Sequence, residues 1–566
     1  MLNSLLIANR GEIAIRVMRA AAELGIRTVA VYAEDDRQCL HVLRADTAVA
    51  LSGTGPAAYL DLEQILRIAG ESSCAAIHPG YGFLSENAAF ARSCGELGLT
   101  FVGPGVELLE LFGDKARARR VASENGVPVL EGSAAAVSVE QAREFFASLG
   151  EGRAMMVKAV AGGGGRGVRI VRRADDIEAA FERCRSEARS AFGSEAVYVE
   201  ELLEPARHIE VQIVGDGRSV LQLGERECSI QRRHQKLVEM APAAIAPELR
   251  ERILESAVRL AAAVGYDNVG TFEFLVDGDA TAEVDFAFIE ANARLQVEHT
   301  VTEEISGVDL VQLQLQIAGG SLLDDITAVN GSLRPPRGVS VQARVNMETM
   351  DPEGAIRPSG GTLEVFEPPS GPGIRVDTFG YSGYPTSPRY DSLLAKVICH
   401  QPSGDHGAAF AKLARALGEF RIEGVSTNLG LLRAILQRPE VTEGRVHTRF
   451  IDDNSEELAR AAEAASPASV SGGGDAEDQS GAARAGVQVD ASDPLAVLDY
   501  GRSAAQNRGS STPTKDGGEA RRPAPAVTPD GTIAVLAPVQ GTIVTLDVVV
   551  GDTVGEGQQL LVMEAM

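Results

Sequence analysis

The stretch Glu290-Ala-Asn-Ala-Arg-Leu-Gln-Val-Glu-His299 carries a polar residue at every second position. Alternate side chains of a β-strand point to the same face, so a strand here would present five polar groups together, namely Glu290, Asn292, Arg294, Gln296 and Glu298. Residues 284–289 before it are mostly apolar and β-prone, which is typical of a strand that enters a core. The alternative is a solvated edge strand, but such faces usually carry Thr, Lys or Ser. Two carboxylates, a guanidinium and two amides favour a functional site.

The composition bounds the class of protein. With 566 residues, the chain is long enough for roughly three to five domains. It is 44% hydrophobic and 23% charged, as expected of an ordinary globular protein, and no stretch approaches the length of a membrane span. The net charge of -26 disfavours nucleic acid and membrane surfaces as partners, although a local basic pocket can still bind phosphate. The apolar run at the N-terminus lacks a preceding basic region, so we predict no secretory signal and a cytoplasmic protein.

The six cysteines are scattered without a Cys-x-x-Cys pair, and this spacing predicts buried thiols rather than a disulfide framework or a zinc site.

The apolar pattern predicts an α/β domain over residues 1–112, which opens with a strand at 3–9, an amphipathic helix at 10–24 and a second strand at 28–32. No Gly-x-Gly-x-x-Gly follows the first strand, so the usual dinucleotide site is not supported. Residues 453–530 are rich in Ala, Gly, Ser, Pro and Asp, which predicts a flexible linker, with a short helix expected at 456–465. Short strands resume from residue 531, in the pattern of a small all-β module.

Residues 156–168 join a strand that carries Lys158 to four consecutive glycines and a basic residue. Glycines let backbone NH groups approach an anion closely, and a nearby ammonium adds charge, so the chemistry fits phosphate. A glycine run by itself is more often a plain loop. The run is not a Walker A loop, because no Gly-Lys-Ser/Thr follows at the proper spacing.

Glu273 and Glu290 lie on two apolar segments that a hairpin would bring together. Mg²⁺ prefers hard oxygen ligands and typically uses one or two carboxylates together with substrate phosphates, so the pair predicts a metal-nucleotide site. Residues 225–236 add four cationic side chains and a histidine within an acidic chain, which would attract an anionic substrate. A pair of surface acids and a solvated basic face are the respective alternatives.

Taken together, these motifs resemble those of biotin carboxylases, which have the ATP-grasp fold. The resemblance covers residues 1 to about 450. It rests on Asn9-Arg-Gly-Glu-Ile-Ala14, His78-Pro-Gly-Tyr-Gly-Phe-Leu-Ser-Glu-Asn87, the glycine run, residues 225–236 and residues 290–299. It implies a multidomain α/β and α+β fold with an N-terminal α/β domain (1–112), an ATP-grasp domain with a Gly-rich lid (113–330), a C-terminal domain (331–452), the linker (453–530) and the first half of a biotinyl carrier domain (531–566).

The resemblance also implies a function and a set of site residues. Biotin carboxylases use ATP with Mg²⁺ or Mn²⁺ to activate bicarbonate as carboxyphosphate and then carboxylate a carrier-linked biotin. By similarity, the metal ligands are Glu273, Glu290 and Asn292. The residues implied to bind ATP are Lys115, Lys158, Gly163, Gly164, Gly165, Glu200, Leu203, His208, Gln231 and His234. The bicarbonate pocket comprises Lys236, Arg294, Gln296 and the backbone of Val297, with Glu298 as general base. Arg344 would stabilise the biotin enolate.

The tail resembles a biotin carboxyl carrier domain from Leu536-Ala-Pro-Val-Gln-Gly-Thr-Ile-Val544 to Val562-Met-Glu-Ala-Met566. In that family the biotinylated lysine follows Glu-Ala-Met, so we expect the chain to be a fragment that ends before its attachment site. The expected partners are a biotinyl carrier, a carboxyltransferase on another chain or segment, and a second copy in a dimer. Because the segment 453–530 is too short to be a carboxyltransferase, an acyl-CoA carboxylase is favoured over a pyruvate or urea carboxylase. Another ATP-grasp ligase, such as one like carbamoyl-phosphate synthase, and a non-enzymatic nucleotide-binding subunit are the alternatives.

Overall fold

The computed structural model describes residues 2–150, 152–160, 167–192, 194–278, 285–330, 336–352, 354–465, 542–546 and 561–564. In these ranges, no helix combines the length and the apolar character that crossing a bilayer requires. All six cysteines are free and buried, as predicted.

The N-terminal region is a five-stranded parallel sheet in the order β3-β2-β1-β4-β5. The first strand is buried along its whole length, because a parallel sheet is covered by helices on both faces. The predicted opening strand, helix and second strand are confirmed. The elements are β1 Ser4–Ile7, α1 Gly11–Glu23, β2 Arg27–Tyr32, α2 Leu40–Arg44, β3 Thr47–Ala50, α3 Leu62–Glu71, β4 Ala76–His78, α4 Ala88–Glu96, β5 Thr100–Phe101 and α5 Val106–Gly113.

The next region contains a small antiparallel sheet with the strand order β7-β6-β8 and a hydrophobic core of its own. A capping box at Ser138 and Gln141 begins its first long helix. The glycine run at 162–165 lies outside the described residues. The elements are α6 Lys115–Glu124, α7 Val139–Ser148, β6 Met155–Ala159, β7 Val168–Val171, α8 Ile177–Phe192 and β8 Val197–Glu201.

An eight-stranded sheet with the order β13-β12-β9-β10-β11-β14-β19-β18 carries the candidate site. Its strands and the remaining elements of this part of the chain are β9 Ala206–Asp216, β10 Val220–Arg232, β11 Gln235–Ala241, α9 Pro247–Ala263, β12 Asp267–Asp277, β13 Phe286–Asn292, α10 His299–Ser306, α11 Leu310–Ala318, α12 Leu323–Asn330, β14 Val339–Asn346, β15 Glu348–Met350, β16 Ile356–Pro358, β17 Val365–Glu367, β18 Ile374–Thr378, β19 Leu393–Gln401, α13 His406–Glu419, β20 Arg421–Glu423, α14 Leu429–Leu436, α15 Pro439–Thr442, α16 Phe450–Asp453 and α17 Ser455–Ala465.

The predicted pairing of the two acidic strands is confirmed. Strands β12 and β13 are antiparallel, and their register places Glu273 directly opposite Glu290.

The prediction that the strand continues to Glu298 is wrong. Strand β13 ends at Asn292, and Glu298 occupies the N-cap position of α10. Local hydrogen bonds replace the ladder, because the amide of Arg294 donates to the carbonyl of Asn292 at 2.8 Å and the chain turns there. Leu295 is consequently buried in the core that holds β1 and α1. The polar side chains converge through a turn and a helix start rather than along one strand face.

The helix predicted near 456–465 is present as α17. Leu458 and Ala459 on this helix are only 1% and 2% exposed, so the packed part of the chain extends into the predicted linker. The rest of that linker and most of the carrier-like tail lie outside the described residues. Within the tail, β21 Thr542–Leu546 pairs with β22 Leu561–Glu564 in antiparallel fashion.

Candidate active site

A row of charged residues crosses four adjacent strands of the large sheet. The register places Arg226 opposite Glu210, Glu210 opposite Glu273, and Glu273 opposite Glu290. Side chains that face each other across neighbouring strands are close enough to interact, and like charges in such positions repel. Three carboxylates in a row therefore require cations around them.

Lys236 supplies much of this positive charge. Its Nζ lies 2.6 Å from Glu210, 2.6 Å from Glu298 and 3.1 Å from Glu273. It also donates to the side-chain oxygen of Gln296 at 3.4 Å. Burial opposes the charged form, but the three carboxylates outweigh it and raise the pKa of Lys236 well above its usual value. The ammonium is a fixed positive centre shared by several acids.

Glu298 lies between Lys236 and Arg344. Its second carboxylate oxygen accepts from Nη2 of Arg344 at 3.1 Å, and the residue is 1% exposed. Burial alone would raise the pKa of Glu298, but the adjacent charges of Lys236 and Arg344 hold it below the usual range. Glu298 is therefore an ionised carboxylate.

Arg344, on β14, is held by a second acid. Its Nε lies 2.5 Å from Oε1 of Glu239, and Oε2 of the same carboxylate accepts from the side-chain amide of Gln342 at 3.0 Å. Since the guanidinium is shared between Glu239 and Glu298, its donor directions are fixed before any substrate binds.

Glu273 is the most heavily hydrogen-bonded carboxylate of the row. It accepts from the amides of Asn292 and Gln296, both at 2.9 Å, and lies 2.9 Å from Nε2 of His208. Burial opposes ionisation, but the charge of Lys236 and the contacts with His208 and Gln296 keep the pKa of Glu273 well below its usual value. Glu273 is thus a permanent anion.

The donor set suits the predicted metal by its chemistry. Glu273 and Glu290 are carboxylates on paired strands, and Asn292 lies beside Glu273, to which its amide donates, while its side-chain oxygen accepts from Arg294. Hard oxygen donors of this kind suit Mg²⁺. Lys115 forms an ion pair with Glu290, so an amino group neutralises the carboxylate that the metal would share.

Lys158, from the small sheet, pairs with the fully buried Glu200. Arg119 holds the same carboxylate at 2.8 Å. Burial opposes ionisation, but Lys158 and Arg119 outweigh it and lower the pKa of Glu200. Glu200 therefore contacts both Lys158 and Arg119 through its carboxylate.

The other residues expected to bind ATP occupy separate places. Leu203 is partly buried in the loop after β8, Gln231 is buried on β10, and His234 is exposed in the β10–β11 turn. The φ angles of Arg233 and His234 in this turn are 45° and 68°. Gly163, Gly164 and Gly165 fall outside the described residues.

Arg294 and Gln296 reach the cluster from the turn after β13. The Nε of Arg294 lies 3.0 Å from Glu86, and its Nη2 donates to the side-chain oxygen of Asn292 at 2.9 Å. Val297, the fourth residue of the predicted bicarbonate pocket, accepts a hydrogen bond through its carbonyl from Lys396 at 3.0 Å. The structure thus brings the predicted bicarbonate residues to the same cluster as Lys236.

Sequence reasoning missed Glu210, Glu239 and Arg226. Arg226 is fully buried and donates to Glu210 at 2.5 Å, so it orients the acid that contacts Lys236. The sequence contained a signal for Glu210, because His208, Glu210 and Gln212 alternate with apolar residues along β9. Glu239 had no such signal, since only strand pairing with β14 brings it to Arg344.

A parallel α/β domain, a sheet lined with carboxylates and lysines, and a separate small sheet that carries Lys158 define an ATP-dependent ligase of the ATP-grasp class. Three family models match in succession, namely biotin carboxylase N-terminal domain over residues 1–109, carbamoyl-phosphate synthase L chain ATP-binding domain over 114–326, and biotin carboxylase C-terminal domain over 342–453. The chain belongs to the biotin carboxylase family.

Solved structures and curated proteins agree with this assignment. The biotin carboxylase domain of Hydrogenobacter thermophilus 2-oxoglutarate carboxylase, a dimer in complex with MgADP, ADP and bicarbonate, is 41% identical, with a TM-score of 0.75, covering 81% of this chain and 99% of that one. A single-chain, multi-domain long-chain acyl-CoA carboxylase is 44% identical, with a TM-score of 0.71, covering 81% of this chain and 43% of that one.

Human mitochondrial pyruvate carboxylase is 48% identical over 461 residues, or 80% of this chain. The match spans only 38% of that enzyme's length. ATP, Mg²⁺ and biotin, the cofactors predicted from the sequence, are confirmed by the family.

Proposed function

We propose that this chain catalyses the ATP- and bicarbonate-dependent carboxylation of biotin on a carrier protein, the first half-reaction of a biotin-dependent carboxylase. The observation that carries the proposal is the position of Lys236, which contacts Glu210, Glu273 and Glu298 and lies one carboxylate away from Arg344. This arrangement combines a cation for a small anion, a base beside it and acids for a metal ion. All three are needed to activate bicarbonate with ATP.

Bound MgATP supplies the phosphoryl group that activates bicarbonate as carboxyphosphate. Lys115 and Lys158 provide ammonium groups for the phosphates, and Glu273, Glu290 and Asn292 would hold Mg²⁺. Phosphoryl transfer depends mainly on positioning and charge stabilisation, so cations already in place lower its barrier without needing to reorganise.

Glu298 is proposed to remove the proton from bicarbonate. In the free protein, Lys236 and Arg344 stabilise the carboxylate and make it a weak base. A bicarbonate ion bound beside Lys236 shares the charge of the ammonium, which weakens its hold on Glu298 and raises the basicity of the carboxylate. The base therefore becomes effective when its substrate is present.

Arg344 is proposed to stabilise the oxyanion of the biotin enolate, which forms when the ureido nitrogen loses its proton and before that nitrogen accepts the carboxyl group. The Arg344 side chain is 17% exposed, and Glu239 and Glu298 fix the orientation of its guanidinium. A delocalised, always charged group held in this way is well suited to a developing oxyanion.

We further propose an acyl-CoA carboxylase as the parent enzyme, working in the cytoplasm, with a biotinyl carrier, a carboxyltransferase and a second copy of this chain as partners. The carrier-like motif at 536–566 supports this context. The segment between residue 453 and this motif is too short to contain a carboxyltransferase, which pyruvate and urea carboxylases place between their carboxylase and carrier domains. The matches to pyruvate carboxylase and to the acyl-CoA carboxylase both cover the biotin carboxylase part of the chain. They therefore do not distinguish pyruvate from an acyl-CoA as the final carboxyl acceptor.

Two experiments test these proposals. ATP cleavage should require bicarbonate and be accelerated by free biotin, whereas a ligase like carbamoyl-phosphate synthase would respond to ammonia and a purely binding subunit would show no cleavage. Fixation of labelled bicarbonate by the native complex should require an acyl-CoA. Fixation that requires pyruvate would refute the acyl-CoA context and leave the biotin carboxylase proposal intact.

A further inference from the structure

Lys396, on β19, is a fully buried cation outside the set of predicted site residues. Its Nζ donates to the carbonyl of Val297 at 3.0 Å. The same atom lies 3.1 Å from Glu12 and 4.0 Å from Asp377. A buried lysine is costly unless its charge is paired, and here the two acids provide that pairing. Lys396 also has a neutral partner, the main-chain carbonyl of Val297 in the candidate bicarbonate pocket.

The carbonyl that Lys396 holds belongs to the peptide between Val297 and Glu298. Glu298 has φ of -85° and ψ of 6° at the start of α10, so this peptide lies at the change from turn to helix. The plane of the peptide sets the direction in which the Glu298 side chain leaves the backbone. A charge-assisted hydrogen bond is roughly twice as strong as a neutral one and fixes that plane firmly.

Glu12 connects this contact to the N-terminal domain. Its carboxylate accepts from the hydroxyl of Tyr81, while Asn9 donates to the carbonyls of Pro79 and Tyr81 at 2.6 and 2.8 Å. The two N-terminal motifs, residues 9–14 and 78–87, therefore meet at Glu12. Through Lys396, they reach the turn that carries the proposed base.

We propose that Lys396 and Glu12 are positioning residues that hold the 297–298 peptide, and through it Glu298, in the orientation needed for bicarbonate deprotonation. The proposal rests on the proposed function, since it deepens the role of the same pocket. A positioning role and a purely structural packing role predict different kinetic effects. Loss of the contact should affect steps that involve bicarbonate far more than the binding of ATP.

The test compares Lys396→Met with Lys412→Met in steady-state assays of bicarbonate- and biotin-dependent ATP cleavage. Lys412 is the matched control, because it also donates to a main-chain carbonyl, that of His400 at 2.7 Å, away from the site. Lys396→Met should lower kcat/KM for bicarbonate by roughly tenfold to a hundredfold, as expected when a reacting group is displaced by about 1 Å. The KM for ATP should stay near that of the parent protein, and Lys412→Met should change neither parameter.

A parent-like kcat/KM for bicarbonate in Lys396→Met would overturn the proposal. So would equal losses for bicarbonate and ATP, which would indicate a structural role. If Lys396→Met does not yield folded protein, Glu12→Gln decides, because it keeps the lysine but removes its closest counter-charge. The same selective loss for bicarbonate supports the proposal, and unchanged kinetics overturn it. A parent protein without bicarbonate-dependent cleavage would instead refute the proposed function.

Discussion

Replacing Glu298 with glutamine removes the proposed base while keeping its size. A positioned general base contributes roughly 10²- to 10⁴-fold to a rate. At 1.36 kcal/mol per decade, this corresponds to about 2.7–5.4 kcal/mol of transition-state stabilisation. Glu298→Gln should therefore lower bicarbonate-dependent ATP cleavage at least about a hundredfold. ATP binding should change little, because Lys115 and Lys158 keep their own partners.

The cost to folding should be smaller than for an ordinary buried ion pair. Breaking such a pair costs about 3–5 kcal/mol, because a charge is left without a partner. Here Lys236 keeps Glu210 at 2.6 Å, and Arg344 keeps Glu239 at 2.5 Å. With both cations still paired, we expect a loss of about 1.5–3 kcal/mol, the range of one hydrogen bond to a charged group.

The assay is bicarbonate-dependent ATP cleavage with free biotin, measured together with thermal unfolding. Asp36→Asn is the matched control, because Asp36 is a buried carboxylate held by Arg10 at 2.5 Å and contacts none of the site residues described above. The control should lose stability and keep its turnover, whereas Glu298→Gln should lose turnover. Undiminished turnover in Glu298→Gln, or an equal loss in the control, would refute the reasoning.

Three further predictions concern the metal, biotin and pH. Glu290→Gln should raise the Mg²⁺ concentration that half-saturates activity, since one hard anionic ligand is lost; a titration curve identical to the parent's would contradict this. Arg344→Met should lower biotin-dependent turnover about a hundredfold or more, as loss of an oxyanion-stabilising group does, while biotin-independent ATP cleavage falls much less. Equal losses of the two activities would contradict the proposed role of Arg344 in stabilising the biotin oxyanion. Because the pKa values of Glu273 and Glu298 are lowered on folding, their contribution to stability is present above the unfolded value of about 4.3 and is lost as pH falls. Urea unfolding between about pH 6 and pH 3.5 should therefore show a steeper decline for the parent than for Glu298→Gln, and parallel declines would contradict the assignment.

The sequence alone predicted the parts of the fold that local pattern controls. The buried apolar run at 4–7 and the amphipathic segment at 11–23 specify a strand and a helix with little help from the rest of the chain. The end of β13 was not predictable in this way. The alternation at 290–298 is a strand pattern, but burial of Leu295 in a different core and a local hydrogen bond at Arg294 end the strand early. Tertiary packing therefore overrode the alternating pattern that predicts a longer strand.

The residues of the candidate site divide in the same way, into those with a local sequence signal and those that only tertiary contacts bring to the site. Glu290 and Asn292 stood out because they alternate with apolar residues, and Lys236 stood out through its place in the basic segment 225–236 and the family resemblance. Glu239 and Lys396 did not, since their significance comes from partners that are far away in the chain, Arg344 and Val297. Only the strand order of the large sheet brings these pairs together.

The most direct test of the central claim follows an oxygen atom. If the proposed base releases a bicarbonate oxygen to attack the terminal phosphorus of ATP, that oxygen must appear in the inorganic phosphate when carboxyphosphate breaks down. Incubation of the protein with ATP, Mg²⁺, free biotin and ¹⁸O-labelled bicarbonate should yield phosphate that carries one labelled oxygen, detected by mass spectrometry. Phosphate released under these conditions without the label would contradict the account.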